Sequence, residues 1–185
     1  MLRLILRIYR KAVRDIGLPL GAWIGRVYLN ACGARCGKNV QVYGLPTVHL
    51  RHGSRLVIGD GCVLRSTSGG NAIGVNHEVI IRTLTNEAVI EIGSRVGISG
   101  GAICARREVR IGNDVLIGAN VVIADNDFHP MSADDRKARR DNIPALPVVI
   151  EDGVWIGADS YVCKGVTIGR NSIIGAKSVV TKSIP

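Results

Sequence analysis

Residues 148–180 read VVIEDGVWIGADSYVCKGVTIGRNSIIGAKSVV, and within them Ile150, Ile156, Val162, Ile168, Ile174 and Val180 stand six apart without interruption. Gly follows three of these aliphatics, in Ile156-Gly157, Ile168-Gly169 and Ile174-Gly175. Four residues after each of the first five sits a small or β-branched residue: Val154, Ser160, Val166, Ser172 and Ser178. This period matches neither an amphipathic helix nor the strict alternation of a half-buried strand. It matches a chain that turns a corner after each short strand, with one aliphatic side chain pointing inward per strand and Gly relieving crowding near the bend. Three such strands close a triangular coil, and stacked coils pair as parallel strands around an Ile/Val column. An ordinary sandwich of short strands does not demand constant spacing.

The same phrase extends toward the amino terminus as Ile58-Gly59, Ile92-Gly93, Ile98, Ile111-Gly112, Ile117-Gly118 and Ile123, and Cys36-Gly37 with Val42 begins the first coil. Cys104 to Ile111 is seven residues, which assigns one coil an extra residue. Residues 65–91 keep a loose pattern with irregular corners. From Asp125 to Val149 the pattern stops, in DNDFHPMSADDRKARRDNIPALPVV, a polar stretch punctuated by Pro130, Pro144 and Pro147. A long loop leaving a regular solenoid is usually functional or disordered.

Composition agrees with a narrow aliphatic core. The 185 residues suffice for one domain, and a single Phe with two Trp is too few rings for most sandwiches or bundles. The net charge of +9 points to anionic partners: nucleic acid, a membrane surface or phosphorylated small molecules. No aromatic platform or motif supports nucleic acid. Five Cys, odd in number and without a CxxC pair, read as reduced thiols of a cytosolic protein, and the spacing gives no zinc site.

Residues 1–31 read as an amino-terminal helical cap ahead of a coil domain over 32–185, with the excursion loop at about 125–149. Residues 2–16 fit a helix with Arg3, Arg7, Arg10 and Arg14 along one face, and a second short helix runs from Trp23 to Asn30. The uncharged stretch Ile16–Gly25 is too short to span a bilayer, and Arg7, Arg10 and Lys11 interrupt a signal-peptide core. The cap covers the open end of the coil stack. Its basic face suits peripheral contact with an anionic membrane, which is compatible with capping.

Of four His, His49, His52 and His77 fall in the loosely patterned region and read as solvated. His129 stands at the start of the excursion, before Pro130 and close to Asp125, Asn126 and Asp127. A nearby carboxylate can orient an imidazole and stabilise its protonated form. Spacing alone leaves a surface His in a polar loop equally open.

The phrases VLIGANVVIADNDFHP (115–130), VVIEDGVWIGADSYVCKGVTIGRNSIIGAKSVV (148–180) and TKSIP (181–185) resemble the hexapeptide-repeat acyltransferases, in particular the sugar and polysaccharide O-acetyltransferases of the galactoside, maltose, capsule and colanic-acid type. The resemblance is strong from about Ile92 onward. It implies an all-β solenoid, a left-handed parallel β-helix of hexapeptide repeats with an amino-terminal helical segment and one long excursion loop. It implies a homotrimer with sites in the clefts between subunits, acetyl-CoA as donor, and no metal requirement. His129 matches the catalytic general base, with Asn126 and Asp127 beside it. The Ala158 N–H matches the oxyanion donor and Trp155 lies near the substrate cleft, while Gly157, Ala176, Thr181 and Lys182 match positions along the coenzyme. Family members usually continue past the TKSIP phrase. The branch often places an Asn facing the His; here that neighbourhood reads ISGGAICA, and Ser99 is the candidate for a substrate-facing role. The implied reaction is O-acetylation of a sugar or polysaccharide-precursor hydroxyl, with a sugar or glycan acceptor that a lipid-linked form would suit, in the cytoplasm or at the inner face of the membrane. The alternatives are a non-catalytic trimeric scaffold and an N-acyltransferase acting on an amino sugar. A γ-type carbonic anhydrase needs three zinc-binding His, two of them close in sequence, and His129 has no such neighbour.

Overall fold

The computed structural model describes residues 18–185. The expected helix over 2–16 lies outside them.

Eighteen short strands form three parallel six-stranded sheets, the faces of a triangular prism of six coils. The first face holds Arg35–Cys36, Arg55–Ile58, Val89–Ile92, Glu108–Ile111, Val148–Ile150 and Thr167–Ile168. The second holds Gln41–Tyr43, Val63–Arg65, Gly97–Ser99, Leu116–Ile117, Trp155–Ile156 and Ile173–Ile174. The third holds Thr47–His49, Ile80–Thr83, Ala102–Ala105, Val122–Ala124, Tyr161–Val162 and Val179–Val180. The fold is the left-handed parallel β-helix. The six-residue column is its axis: Ile150, Ile156, Val162, Ile168, Ile174 and Val180 are all buried.

Close coil stacking explains the glycines. A Cβ on Gly59 would meet the backbone of Gly93 at 2.6 Å, and one on Gly93 the backbone of Gly112 at 2.5 Å. The residue after each glycine carries the next contact. The N–H of Lys38 donates to Asp60 Oδ1 (2.7 Å), that of Ser94 to Asn113 Oδ1 (2.9 Å) and that of Asn113 to Asp152 Oδ1 (2.7 Å). Polar side chains thus satisfy, from one coil up, backbone donors that the ladders leave free at the first-to-second corner.

The extra residue of the third coil falls differently from the sequence reading. Ile103, not Cys104, pairs with Ile123 and faces the core. The second-to-third corner of this coil is one residue short, tightened through Gly100 at φ +53°. The third-to-first corner carries a surplus at Arg106-Arg107. Cys104 therefore points outward yet is buried, beneath the excursion that follows Ala124. A further excursion over 66–79, read from sequence as irregular corners, leaves the second-to-third corner and reaches the fourth coil, where the Asn76 N–H donates to Asn120 Oδ1 (2.8 Å).

Helix α1 (Leu18–Ala31) begins earlier than the expected Trp23–Asn30, because Pro19 falls in the first turn of the described helix, where its missing N–H is tolerated. It ends in a Schellman motif: with Gly33 at φ +93°, the Ala34 N–H donates to Leu29 O (3.0 Å) and the Gly33 N–H to Asn30 O (2.9 Å). Gly25 lets the helix lie directly on Val42, Leu29 is fully buried, and the Tyr28 hydroxyl donates to Pro46 O (2.9 Å). Among the described residues no helix is long and apolar enough to cross a membrane.

Candidate active site

The excursion carrying His129 is tied to the third-to-first corner at both ends. Asp125 is fully buried, and its carboxylate gathers four donors. Oδ1 accepts from the Arg106 N–H (2.7 Å) and Asn126 Nδ2 (3.0 Å); Oδ2 accepts from the N–H groups of Arg107 and Glu108 (2.6 Å each). These backbone donors are the ones exposed by the surplus residues of the third coil. Asn126 Oδ1 accepts from the Phe128 N–H (2.9 Å), an Asx turn in which Phe128 adopts φ +61°. On the return, Ala145 bridges Asn126 in antiparallel register, and the Leu146 N–H donates to Asp125 O (2.8 Å). Short helix α2 (Ala133–Lys137) occupies the loop's far end, and Arg136 donates to the carbonyls of Pro130 (2.9 Å) and Met131 (2.7 Å).

His129 is exposed, and its N–H donates to Asp127 O (2.7 Å). Its ring makes no hydrogen bond among the described residues. The expected orientation of the imidazole by Asp125, Asn126 or Asp127 is not seen within the chain, because those side chains bond elsewhere. Asp127 Oδ1 accepts from Lys164 Nζ at 2.6 Å, and its Oδ2 is enclosed without a partner among the described residues. The three residues fix the loop backbone and place His129 through it.

Lys164 was not among the sequence candidates. The only signal is that Val162 is followed by Cys163-Lys164, whereas Ile156, Ile168 and Ile174 are each followed by Gly. As a positioning residue, Lys164 makes a specific prediction. Lys164→Met should cost about 1 kcal/mol more in the parent than in an Asp127→Asn background, measured as coupling in a urea double-mutant cycle. Additive single effects would show that the pair does not hold the loop.

Two thiols and a phenol lie beneath the loop. Burial pushes the Cys104 thiol up, the nearby Arg82 opposes this and Asp125 adds to it. Burial likewise raises the Tyr161 phenol, with Cys163, Cys104 and Asp127 contributing. A Cys104 kept as the thiol is a poor nucleophile.

The remaining candidates occupy other parts of the prism. Trp155 projects from the second face, half exposed, stacked in register between Leu116 and Ile173. Gly157 is buried, and a Cβ there would meet the Ala176 N at 2.5 Å, so coil packing alone requires it to be Gly. Ala158 and Ala176 lie at the second-to-third corner. The Ala158 N–H donates to no acceptor among the described residues, as is also true of Ala119 and Ala176, so the free donor is a property of the corner. Ser99 is buried at 6% exposure, on a strand whose next residue, Gly100, lies against Val75 and His77 of the second excursion. Thr181 and Lys182 are exposed and line a cleft of about 380 Å³ at the last coil with Gly175 and Ser178. Within one chain, then, His129 stands at the third-to-first corner, and Trp155 and Ala158 stand on the second face and its far corner. Among the described residues no group of three or more His, Cys, Asp or Glu is placed to hold a metal ion.

Comparison with known proteins agrees with this architecture. Residues 147–182 match the model of the bacterial transferase hexapeptide (six repeats), and residues 108–124 that of the hexapeptide repeat of succinyl-transferase. These two segments carry hexapeptide repeats of the bacterial transferase type. It is 49% identical over 78 residues to the galactoside O-acetyltransferase of Lactococcus lactis subsp. lactis, covering 42% of this chain and 36% of the relative. It is 44% identical over 77 residues to the galactoside O-acetyltransferase of Escherichia coli, again covering 42% of this chain and 36% of the relative. The chain thus spans little more than a third of the length of these curated relatives. A solved structure of the N-acyltransferase AntD from Bacillus cereus, in complex with dTDP-4-amino-4,6-dideoxyglucose and coenzyme A, shares the fold with a TM-score of 0.61 at 18% identity, over 86% of this chain and 80% of that one.

Proposed function

We propose that the protein is an acetyl-CoA-dependent O-acetyltransferase acting on a sugar or glycan hydroxyl, working as a homotrimer with each site completed by two copies. The observation that carries this reading is the exposed His129, held by a loop whose every anchor is internal while its own ring is left without a partner. The galactoside O-acetyltransferase relatives supply the reaction class. In this reading residues 1–31 are the cap, with a basic segment suited to the inner face of an anionic membrane, and 32–185 are the β-helix domain. Five free cysteines suit a reducing, cytoplasmic setting.

The outer faces support assembly. On the first face Arg55, Glu91, Glu108 and Arg110 form exposed ion pairs. The second presents Leu116, Trp155 and Ile173 in one exposed column, and the third aligns half-buried Val122 and Tyr161 with exposed Val179. Two different apolar faces imply a heterologous contact that closes as a ring. Such a contact brings the second face of one copy, with Trp155 and Ala158, to its neighbour.

The cleft at the last coil fits a long anionic donor, since Lys182 offers a cation and Thr181 and Ser178 offer hydroxyls. Acetyl-CoA, when bound, supplies the thioester carbonyl. His129 takes the proton of the acceptor hydroxyl as that oxygen attacks, then returns a proton to the departing thiolate. The Ala158 N–H donates to the oxygen on which negative charge develops.

An acetyl-CoA thiol-release assay across sugar, nucleotide-sugar and lipid-linked acceptors, run with sedimentation analysis, tests the reading. The expected result is acceptor-dependent thiol release by a species of three chains. Release only with amino sugars would move the assignment to N-acylation. The absence of both release and acetyl-CoA binding would leave a scaffold.

A further inference from the structure

Two adjoining hollows run down the third-to-first corner on the amino-terminal side of the excursion. One, of about 310 Å³, is lined by His49, Arg51 and Arg82. The other, of about 620 Å³, is lined by Arg51, Arg106 and Arg107, with Glu87, Asp141 and Ala145. They share Arg51 and Leu84 and form one groove. Its size falls in the range of small-molecule sites.

The groove is electropositive by composition. Four guanidinium groups stand against two carboxylates, leaving two positive charges. One pair is already made: Arg106 donates to Asp141 at 2.7 Å and clasps the far strand of the excursion. Arg51, Arg82 and Arg107 have no ion-pair partner among the described residues. Unpaired guanidinium groups in a concavity concentrate positive potential, and their planar forks match phosphate oxygens. The groove also abuts the reactive loop. Ala145, in its wall, bridges Asn126, and Arg82 is the strand neighbour of Cys104 directly under the loop.

We propose that this groove binds the diphosphate of an activated sugar acceptor, so that the sugar is presented to His129 from the amino-terminal coils. The two negative charges of a diphosphate diester equal the groove's net charge. The proposal rests on the transferase reading for the word acceptor. The donor cleft with Thr181 and Lys182 lies at the sixth coil, carboxy-terminal to the excursion, whereas the groove lies on the coils amino-terminal to it. The diphosphate belongs to either a soluble sugar nucleotide or a lipid-linked sugar.

Binding of inorganic pyrophosphate to the full chain, measured by titration calorimetry, tests the groove directly. Saturable binding is expected, weakened at least about tenfold in Arg82→Gln/Arg107→Gln, with acetyl-CoA affinity unchanged. Arg82→Gln alone, whose side chain makes no hydrogen bond among the described residues, should lose part of the affinity and provides the test if the double variant does not fold. No saturable binding at millimolar pyrophosphate, equal binding by the variants, or competition between pyrophosphate and acetyl-CoA would each overturn the proposal. A uridine diphosphate sugar and a short polyprenyl diphosphate, titrated in parallel, identify the source of the diphosphate by which binds more tightly. Acetyl-CoA titrated alone reports on the transferase reading separately. Its failure to bind, with pyrophosphate binding intact, would remove transfer and retain the anion site.

Discussion

His129→Ala should lower turnover in the acetyl-transfer assay by about two to four orders of magnitude while leaving the melting temperature and the sedimenting mass unchanged. A sugar hydroxyl is a weak nucleophile near neutral pH, and imidazole is the side chain whose ordinary pKa lies closest to the working range. The structure makes this substitution a clean probe. The ring is exposed and donates to nothing among the described residues, and the loop contact at this position is the backbone N–H to Asp127 O, which alanine keeps. Removing the imidazole therefore takes away the base without taking away an anchor. The effect should fall on kcat far more than on the KM for acetyl-CoA, because the proposed role of the ring is to take the acceptor proton and not to bind the donor. A folded His129→Ala protein with transfer within a few-fold of the parent would remove the general-base assignment.

The prism was legible in the sequence because its determinant is local and repeated. One inward aliphatic per strand and a close-packed corner recur often enough that constant spacing itself specifies the fold. The position of the excursion loop was legible for the complementary reason: the period ends at Asp125 and resumes by Ile150. Register at Cys104 was not. Counting six from Ile98 reaches Cys104, yet a corner shortened at Gly100 turns Ile103 inward, and only pairing with Ile123 decides between them. The role of Asp125 was also hidden. Its proximity to His129 in sequence suggests a catalytic carboxylate, whereas its donors come from residues 106–108, one coil below. Lys164 was missed because its partner is 37 residues away and becomes a neighbour only when the excursion closes. Ser99 is a candidate through the resemblance alone, and its burial beside the second excursion was not legible because that segment carries no repeat.

Asp125→Ala is expected to cost about 3–5 kcal/mol of stability, a large share of the roughly 5–15 kcal/mol that holds a typical domain folded. The cost does not come from a lost ion pair. It comes from leaving the N–H groups of Arg106, Arg107 and Glu108, together with Asn126 Nδ2, without their acceptor at a corner where Asp125 and Asn126 are buried. Asp125→Asn should be nearly as damaging, since an amide offers one acceptor oxygen where the carboxylate uses two and turns an NH2 toward N–H donors. The loss should be focused where the bonds are. Hydrogen exchange at residues 106–108 should accelerate, and limited proteolysis should cut within 125–147 while the six-residue columns of the fifth and sixth coils stay protected. Because the surplus residues of the third coil and the first residue of the excursion satisfy one another, the corner and the loop should loosen together. A variant that unfolds within about 1 kcal/mol of the parent, with the loop still protected, would show that the corner finds other partners and that Asp125 does not hold His129 in place.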